Sequence, residues 1–465
     1  MSAPDTVDSW FLPATELAWA YRRGSLSPIE VVDAILDRID RHDAQMRAFI
    51  TVTADLARQQ AREAEARLAG GDDGPLVGVP LAVKDNVGVA GVRTTCASAL
   101  DPGWGTEREA EVIRRLRAAG AVIVGKANLY EYAFSLTDAY PQPTNPWNAE
   151  KYSSGSSSGS AVAVAAGMAH VAVGSDTGGS GRHPASANGV VGFKGTYGRV
   201  SRSGVFPLSY SLDHVTSIGR RVVDAATLLE LMSDDGVRGE SPLARTGRPL
   251  TGMRLARATG YTADRVDPEV TATVDEAVRV LTDLGADVEE VALPGVDLAA
   301  GIMSSIMLPE AAVIHRDAHR SAAELLGETA VARLDLGSVI PATEYVRAQQ
   351  ARMALADEYE RLFDRYAAIV GPGNATRAGD ASGWISVVDG VEYDLRHTGP
   401  EYTGIYNIIG NPALVLPAGF SSEGTPIGLQ VAGRWWDEAT VVQIGRAFEQ
   451  ATEWHLRRPP LPDET

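Results

Sequence analysis

Two stretches rich in glycine and serine decide the fold of this chain: Gly155-Ser156-Ser157-Ser158-Gly159-Ser160 and Gly174-Ser175-Asp176-Thr177-Gly178-Gly179-Ser180. A run of glycine and serine is ordinarily a flexible linker. Here the apolar run 161–169 follows the first stretch, and the valines at 171 and 173 lead into the second with the alternation of a strand. Such flanking segments are typical of buried elements. We therefore predict that both stretches are ordered turns in the core, where glycines let backbone N–H groups approach a ligand.

Other uses of these residue types fit the spacing less well. Neither stretch has the Gly-x-x-x-x-Gly-Lys-Ser/Thr pattern of a phosphate-binding loop, nor Gly-x-Gly-x-x-Gly between a strand and a helix. A Ser–His–Asp triad is formally available, because His183 and His214 lie near Ser180 in the sequence. His183 follows Ser180 so closely that an extended or turning segment would direct its ring elsewhere, and we disfavour this triad. No cofactor and no metal ion are expected.

Composition and charge indicate a globular protein without nucleic-acid or membrane partners. The 465 residues are 45% hydrophobic and 22% charged, which is ordinary for a protein with a large core. The net charge of −18 repels nucleic-acid backbones and anionic membranes. Cys96 is the one cysteine, so an intrachain disulfide is excluded, and the N-terminus lacks the basic and apolar regions of a signal peptide. We expect a cytoplasmic protein, and no apolar run of about 18 residues predicts a membrane span.

The region from about Leu76 to Arg221 resembles the signature region of the amidase signature family of serine hydrolases. Besides the two Gly/Ser stretches, the resemblance rests on Gly78-Val79-Pro80-Leu81-Ala82-Val83-Lys84-Asp85-Asn86, Thr94-Thr95-Cys96-Ala97-Ser98, Gly125-Lys126-Ala127-Asn128-Leu129-Tyr130-Glu131, Asn145-Pro146-Trp147-Asn148, Gly192-Phe193-Lys194-Gly195-Thr196-Tyr197-Gly198-Arg199-Val200-Ser201 and Ser211-Leu212-Asp213-His214. Segments 410–419 and 426–430 resemble the closing part of the family. Only the middle of the chain, about 235–395, is weakly covered.

The resemblance implies a single large α/β amidase-signature domain with a mixed, mainly parallel β-sheet covered by helices on both sides. An N-terminal helical segment, 1–70, is expected to pack on the catalytic domain, 71–465. The signature region is 76–221, and the variable middle, 235–395, is expected to determine the substrate. Local patterns agree, since short Val/Ile strands alternate with helical segments. The sequence predicts helices at 28–39, 54–68, 107–119, 270–284 and 342–364, and strands at 121–124, 255–257, 286–291 and 367–370.

In this family a lysine is the general base, one serine relays the proton and a second serine attacks the carbonyl carbon. Carried over, these residues are Lys84, Ser156 and Ser180. A serine hydroxyl needs a base that takes its proton during attack, and a lysine serves only when it is neutral. Because Lys84 follows the apolar residues 81–83, burial is expected to lower its pKa. The resemblance also implies a cis peptide bond between Gly155 and Ser156.

An oxyanion hole is implied around the attacking serine. The backbone N–H groups of Thr177, Gly178, Gly179 and Ser180 are expected to face the oxygen of the tetrahedral intermediate. Supporting roles fall to Gly155, Ser157, Asp176 and Arg182, of which the last two flank the turn and hold the loop in shape.

Departures from the family pattern bear on the site. Serine replaces glycine at positions 154 and 158, which leaves three adjacent serines and two candidates for the relay, Ser156 and Ser157. The position of the apolar run that follows favours Ser156. Gly181 stands where relatives carry a bulky aliphatic residue, and His183 stands where an apolar residue is common. We expect Gly181 to widen the substrate pocket and so to admit a bulkier acyl or leaving group.

The resemblance therefore implies an amidase, a hydrolase that cleaves C–N bonds of linear amides through an acyl-enzyme. Acylamides, aryl amides and carbamates are the expected substrates, with esterase or urethanase activity also open. The alternative is the glutamine-amidase subunit of a tRNA-dependent amidotransferase, which carries the same signature. An inactive interaction protein is disfavoured, because all three catalytic positions are filled. The expected partner is a small-molecule amide or carbamate, a homodimer stays open, and no direct binding of nucleic acid is expected.

Overall fold

A mixed sheet of eleven strands forms the centre of the molecule. The computed structural model describes residues 8–259, 266–381, 385–388, 391–394 and 400–461. The strands in these residues are β1 (Phe49–Val52), β2 (Pro80–Lys84), β3 (Val122–Ala127), β4 (Val171–Asp176), β5 (Val191–Lys194), β6 (His214–Gly219), β7 (Arg254–Thr259), β8 (Asp287–Ala292), β9 (Ala368–Pro372), β10 (Ile385–Val388), β11 (Val391–Asp394), β12 (Ala413–Phe420) and β13 (Pro426–Gly433). The order in the main sheet is β1-β3-β2-β4-β6-β5-β12-β13-β9-β7-β8, and β10 pairs with β11 separately.

The mixed sheet is confirmed, but its parallel share is smaller than predicted. β2 pairs in parallel with β3 and β4, and β7 pairs in parallel with β8 and β9. The other six neighbouring pairs of the main sheet are antiparallel. The prediction treated each helix as a crossover between adjacent parallel strands. In the structure β6 lies antiparallel between β4 and β5, and the tight turn 421–425 joins β12 to β13 as a hairpin.

Helices cover both faces of the sheet, as expected. Those in the described residues are α1 (Ala14–Arg22), α2 (Pro28–Met46), α3 (Ala54–Ala69), α4 (Glu111–Ala118), α5 (Ser158–Ala165), α6 (Arg182–Asn188), α7 (Val222–Met232), α8 (Pro268–Asp283), α9 (Ala299–Ile314), α10 (Arg316–Ala322), α11 (Glu328–Val339), α12 (Ala342–Phe363), α13 (Ile405–Ile408) and α14 (Glu438–Ala451). Alternate residues of β2 enter different cores, with Leu81 and Val83 packed beside α4 and α7, and Ala82 beside α2 and α5. A sheet buried on both faces needs apolar residues throughout its strands, which explains their Val-rich sequences.

Most predicted elements are found near their expected bounds. The Ser27 hydroxyl accepts a hydrogen bond from the N–H of Ile29 at 3.2 Å and caps α2. The predicted helix at 107–119 begins only at Glu111, because Ala110 is extended and donates its N–H to the carbonyl of Gly88. Strand β1 was not predicted, and it forms an edge of the sheet by antiparallel pairing with β3. Positions 1–7, 260–265, 382–384, 389–390, 395–399 and 462–465, which include parts of the expected N-terminal segment and variable middle, lie outside the described residues.

Candidate active site

Lys84 ends strand β2 and is fully buried. Since β4 runs parallel to β2, the end of β4 brings Ser175 to the same edge of the sheet. The Lys84 amine donates hydrogen bonds to Ser156 Oγ and to Ser175 Oγ, each at 2.8 Å. Asn86 Nδ2 also donates to Ser175 Oγ, at 3.3 Å. The predicted base and the predicted relay are therefore in direct contact, and a third serine fixes the amine from the other side.

Burial decides the charge of this amine. Loss of solvation lowers the pKa of Lys84 from 10.5 to about 7, although the charges of Asp176 and Asp213 oppose the change. A neutral amine has two N–H donors and one lone pair. In this neutral form the amine still donates to Ser175, but its contact with Ser156 reverses, so that the lone pair accepts a hydrogen bond from the Ser156 hydroxyl. The arrangement suits a base that works near neutral pH.

The structure separates the two candidate relay serines. The Gly155–Ser156 peptide bond is cis, as the resemblance implied, and Ser156 Oγ contacts Lys84. Ser157 instead joins the two turns, since its Oγ donates to the carbonyl of Ser175 at 3.0 Å and accepts from the Ser175 N–H at 3.2 Å. Its own N–H donates to the carbonyl of Ser180 at 3.0 Å. Ser157 thus holds the backbone of the predicted nucleophile against that of the relay.

A buried ion pair shapes the turn that carries Ser180. Arg182 Nε lies 2.9 Å from Asp176 Oδ2, and both side chains are fully buried. The guanidinium also donates to Gln430 Oε1 at 2.8 Å and to Asn407 Oδ1 at 2.7 Å. Burial by itself would raise the pKa of Asp176, but the charge and hydrogen bonds of Arg182 hold this pKa well below its ordinary value. The supporting roles predicted for Asp176 and Arg182 therefore have a structural basis.

The Asp176 carboxylate reduces the number of N–H groups available to the predicted oxyanion hole. The N–H of Gly179 donates to Asp176 Oδ1 at 2.7 Å, so its hydrogen bond is already made within the turn. Thr177 is held by its side chain, whose Oγ1 donates to Asp213 Oδ1 at 2.7 Å. This leaves the N–H groups of Thr177, Gly178 and Ser180 as the candidates for oxyanion donors.

Gly181 does not face a pocket. A Cβ atom at this position would lie 2.8 Å from Thr216 Cγ2, on the buried strand β6. The missing side chain therefore makes room for the packing of the turn against the sheet. This contact shows that the prediction of a wider substrate pocket at Gly181 was wrong. The error arose because the sequence does not indicate the direction in which a side chain at this position would point.

The histidines near Ser180 make other contacts. His183 Nε2 hydrogen-bonds with Thr403 Oγ1 at 2.6 Å, and Thr403 in turn donates to the carbonyl of Gly178 at 2.9 Å. Burial lowers the pKa of His183 to about 4. His214 Nδ1 hydrogen-bonds with the carbonyl of Leu212 at 2.7 Å. Both rings are engaged in holding loops, and neither contact joins a serine to a carboxylate as a Ser–His–Asp triad requires.

A histidine pair with the spacing of metal ligands also exists. His315 and His319 are four residues apart, so the expectation of no metal site was wrong in assuming that the sequence has no His-x-x-x-His spacing. His315 stacks edge-on against Tyr132, and His319 lies 3.2 Å from Asp335. Within the described residues, no group of three or more His, Cys, Asp or Glu side chains is arranged to hold a metal ion. In the same part of the chain, no helix has the length and apolar character needed to cross a membrane.

A cavity of about 200 Å³ adjoins the lysine cluster. Its lining includes Ser175 and Thr177, and the larger side chains of Phe206, Leu208 and Tyr210. Asp213 also borders this cavity, where its carboxylate accepts hydrogen bonds from the N–H groups of Leu208 and Ser209. The small volume suits a compact amide group or side chain.

Several residues of the site were missed from the sequence. Ser175 was quoted only as part of a motif, although it is a direct partner of Lys84. Asn407 and Gln430 come from segments more than 200 positions away and complete the polar shell of Arg182. The one available signal was that such polar side chains stand inside apolar, strand-like segments, where a buried polar group needs a partner.

Comparisons with known proteins agree with this geometry. The family model Amidase matches residues 30–442. The A subunit of glutamyl-tRNA(Gln) amidotransferase from Symbiobacterium thermophilum is 38% identical over 493 residues, which cover 97% of this chain and 99% of that relative. A solved structure described as a vestigial protein complex that reveals the origins of an s-triazine catabolic enzyme is similar with a TM-score of 0.89 and 28% identity, covering 94% of this chain and 98% of that one. The 6-aminohexanoate cyclic dimer hydrolase, complexed with substrate, is similar with a TM-score of 0.86 and 26% identity, covering 97% and 99%.

The family match and the fold are those of hydrolases that act on carbon–nitrogen bonds. The chain belongs to the amidase signature family.

Proposed function

We propose that this enzyme hydrolyses carboxamides with Ser180 as nucleophile, Ser156 as proton relay and Lys84 as base. The observation that carries the proposal is the buried Lys84 amine, which lies 2.8 Å from Ser156 Oγ and whose pKa burial lowers to about 7. An amine with this pKa is about half neutral at pH 7, so it accepts a proton without the help of a histidine.

Acylation begins when Ser180 Oγ attacks the amide carbon. Its proton passes to Ser156 Oγ while the Ser156 proton passes to Lys84 Nζ. The carbonyl oxygen becomes an oxyanion, for which each backbone donor such as the Gly178 N–H contributes ~3 kcal/mol. The proton returns through Ser156 to the leaving nitrogen, and the C–N bond breaks. Water then attacks the acyl-enzyme ester along the same route and releases the acid and free Ser180.

The relatives favour glutamine as the amide. The similarity to an A subunit of glutamyl-tRNA(Gln) amidotransferase extends over nearly the whole chain, at 38% identity. A second candidate function is therefore that of the glutamine-amidase subunit of such an amidotransferase, working beside other subunits. In both cases the same three residues would break the amide bond, so the two candidates differ in substrate and partners rather than in chemistry.

The test of the mechanism is covalent labelling combined with turnover. Purified chain is treated with a sulfonyl fluoride and digested, and mass spectrometry identifies the labelled serine, which we expect to be Ser180. Ser180→Ala and Ser156→Ala should each lose at least about 1,000-fold in kcat/KM on amides. Ser157→Ala is the matched control, and it should lose far less. Labelling of another serine, or a larger loss in Ser157→Ala than in Ser156→Ala, would contradict the assignment.

Substrate preference separates the two candidates. The chain alone is assayed for ammonia release from glutamine, valeramide, an aryl acetamide and a carbamate. Turnover of the simple amides by the chain alone supports a self-sufficient amidase. Turnover restricted to glutamine, and only after addition of amidotransferase partner subunits, supports the second candidate.

A further inference from the structure

The cavity beside the Lys84 cluster offers a positive charge to its ligand. Among the described residues that line it, only Arg202 and Asp213 carry charged side chains at neutral pH. His214 also lines the cavity, but burial lowers its pKa well below the ordinary value and leaves the ring neutral. The carboxylate of Asp213 already accepts three hydrogen bonds, from Thr177 Oγ1 and two backbone N–H groups. Burial raises the pKa of Asp213 and the charge of Arg202 opposes that shift, so the two side chains act on each other across the cavity. Because the Asp213 oxygens are already hydrogen-bonded, Arg202 is the charged group that keeps N–H donors for a ligand.

Arg202 is held by ring stacking and one hydrogen bond rather than by an ion pair. Its guanidinium lies 4.7 Å from the centroid of the Tyr197 ring, and its Nη1 donates to the carbonyl of Tyr210 at 2.5 Å. The Tyr197 hydroxyl donates to the same carbonyl at 2.8 Å, which ties the two stacked side chains together. No carboxylate in the described part of the chain lies within ion-pair distance of Arg202. Stacking occupies one face of a guanidinium, and its edge keeps N–H donors for a planar anion.

A wider cavity continues this cationic lining outward. It has a volume of about 670 Å³ and shares Tyr210 with the inner cavity. Arg316 and Arg320 line it, and of these two Arg316 lies 3.2 Å from Asp317. The carboxylate in the lining, Glu310, accepts hydrogen bonds from Ser209, Ser211 and Tyr345. The chain as a whole carries a net charge of −18, so a cationic opening is opposite in sign to most of the surface. Such an opening attracts small anions toward the site.

We propose that Arg202 binds an anionic group of the substrate, so that the preferred substrates are small amides bearing a carboxylate. This inference rests on the proposed amide hydrolysis and adds a substrate class to it. Arg202 would hold the carboxylate within the 200 Å³ cavity, which Ser175 and Thr177 also line. Ser175 contacts Lys84, so the same cavity adjoins the lysine cluster. A pre-oriented guanidinium loses little freedom on binding, and a hydrogen-bonded pair of this kind changes affinity by about 10- to 100-fold.

The test compares two amides of nearly equal size that differ in charge. Glutaramate carries a carboxylate, and valeramide ends in a methyl group. For the unmodified enzyme we expect kcat/KM to be at least about 10-fold higher for glutaramate. In Arg202→Gln the ratio of the two values should fall to near one, and in Arg202→Lys it should recover in part, because the charge returns without the planar fork.

Arg365→Gln is the matched control, since Arg365 also stacks on a tyrosine, Tyr366, but lies outside both cavities. It should leave the ratio unchanged. Equal kcat/KM values for the two amides in the unmodified enzyme, or an unchanged ratio in Arg202→Gln, would overturn the proposal while amide hydrolysis itself stands.

A binding measurement keeps the inference separate from catalysis. Calorimetry on Ser180→Ala measures the Kd of glutaramate and of valeramide without turnover. We expect glutaramate to bind at least about 10-fold more tightly, and the added Arg202→Gln change to remove that difference. If neither amide is hydrolysed by the unmodified enzyme but this difference in Kd is found, amide hydrolysis fails and the anion site stands. Equal Kd values would refute the anion site.

Discussion

The charge of Lys84 gives the sharpest prediction, because it links activity and stability through one pKa. Burial lowers the pKa of this amine from 10.5 to about 7. The proposed mechanism uses the neutral amine, so kcat/KM on amides should rise with pH and level off above pH 7. An equilibrium of this kind leaves about a tenth of the amine neutral at pH 6 and about nine tenths at pH 8. We therefore expect a fall of about tenfold for each pH unit below 7.

The lowered pKa of Lys84 also means that the protonated amine destabilises the folded protein. A change from 10.5 to about 7 corresponds to about 5 kcal/mol of unfavourable free energy for the protonated amine in the folded protein. Between these pH values the unfolded chain holds a proton that the folded protein lacks, so the free energy of unfolding rises with pH. The penalty is complete below pH 7 and disappears toward pH 10.5.

Lys84→Met tests both effects in one variant. Methionine fills the site without a charge, but it forfeits hydrogen bonds to Ser156 and Ser175 that are worth about 1 kcal/mol each. At pH 6 the variant should therefore be more stable than the unmodified protein by about 3 kcal/mol. The difference should shrink as pH rises and reverse in sign at about pH 9, where the remaining penalty equals the ~2 kcal/mol of lost hydrogen bonds. Amide hydrolysis should be lost at every pH. Lys84→Arg should not restore activity, because guanidinium stays protonated.

Two measurements decide the matter. Profiles of kcat/KM on one amide from pH 5 to 9 give the apparent pKa, and urea unfolding at several pH values gives the stability difference between the two proteins. Comparing the two proteins at each pH removes the contribution of all other titrating groups. A flat pH profile, or a stability difference that does not vary with pH, would refute the neutral-lysine mechanism.

The remaining predictions concern the turn after Asp176. Gly181→Ala places a Cβ against Thr216 and should lower the free energy of unfolding by about 1–3 kcal/mol. Its kcat/KM should fall equally on small and large amides. Stability should recover in part in the double variant with Thr216→Ala. A loss confined to large amides would restore the pocket interpretation. Arg182→Met leaves the Asp176 carboxylate buried without its partner and should cost about 3–5 kcal/mol in urea unfolding. The ion pair holds the pKa of Asp176 low, whereas burial without Arg182 would raise it, so the cost should shrink in acidic solution and grow as pH rises through and above about 4. A cost independent of pH would contradict the role of the pair.

The sequence was sufficient to predict properties that depend on a short, patterned segment, such as the burial of one side chain. Lys84 was expected to be buried because apolar residues precede it in β2, and it is. The contact of Lys84 with Ser156 followed from the family resemblance and not from any pattern in the residues themselves. Ser175 was missed because its contact with Lys84 depends on the parallel alignment of β2 with β4, which no local pattern specifies.

The errors of the sequence-based predictions concern the order of strands in the sheet and the direction of a side chain at Gly181. The alternation of strands and helices was read correctly, but the insertion of β6 between β4 and β5 depends on contacts between distant segments. Gly181 was recognised as unusual, yet whether an absent side chain would have faced substrate or sheet depends on how α6 begins. The turn bends toward β6, so the position closest to the nucleophile in sequence points away from the pocket.

The charges of the site allow the pKa of Lys84 to stay near 7 although a carboxylate lies near it. Asp176 raises the pKa of Lys84 and so works against the base, but its charge is matched by Arg182. Two residues from the C-terminal part of the chain bind the same pair: Gln430 accepts a hydrogen bond from Arg182, and Asn407 donates one to Asp176. The Arg182 ion pair therefore has two consequences. It gives Asp176 the rigidity to hold the N–H of Gly179, and it reduces the field that would otherwise return a proton to the base.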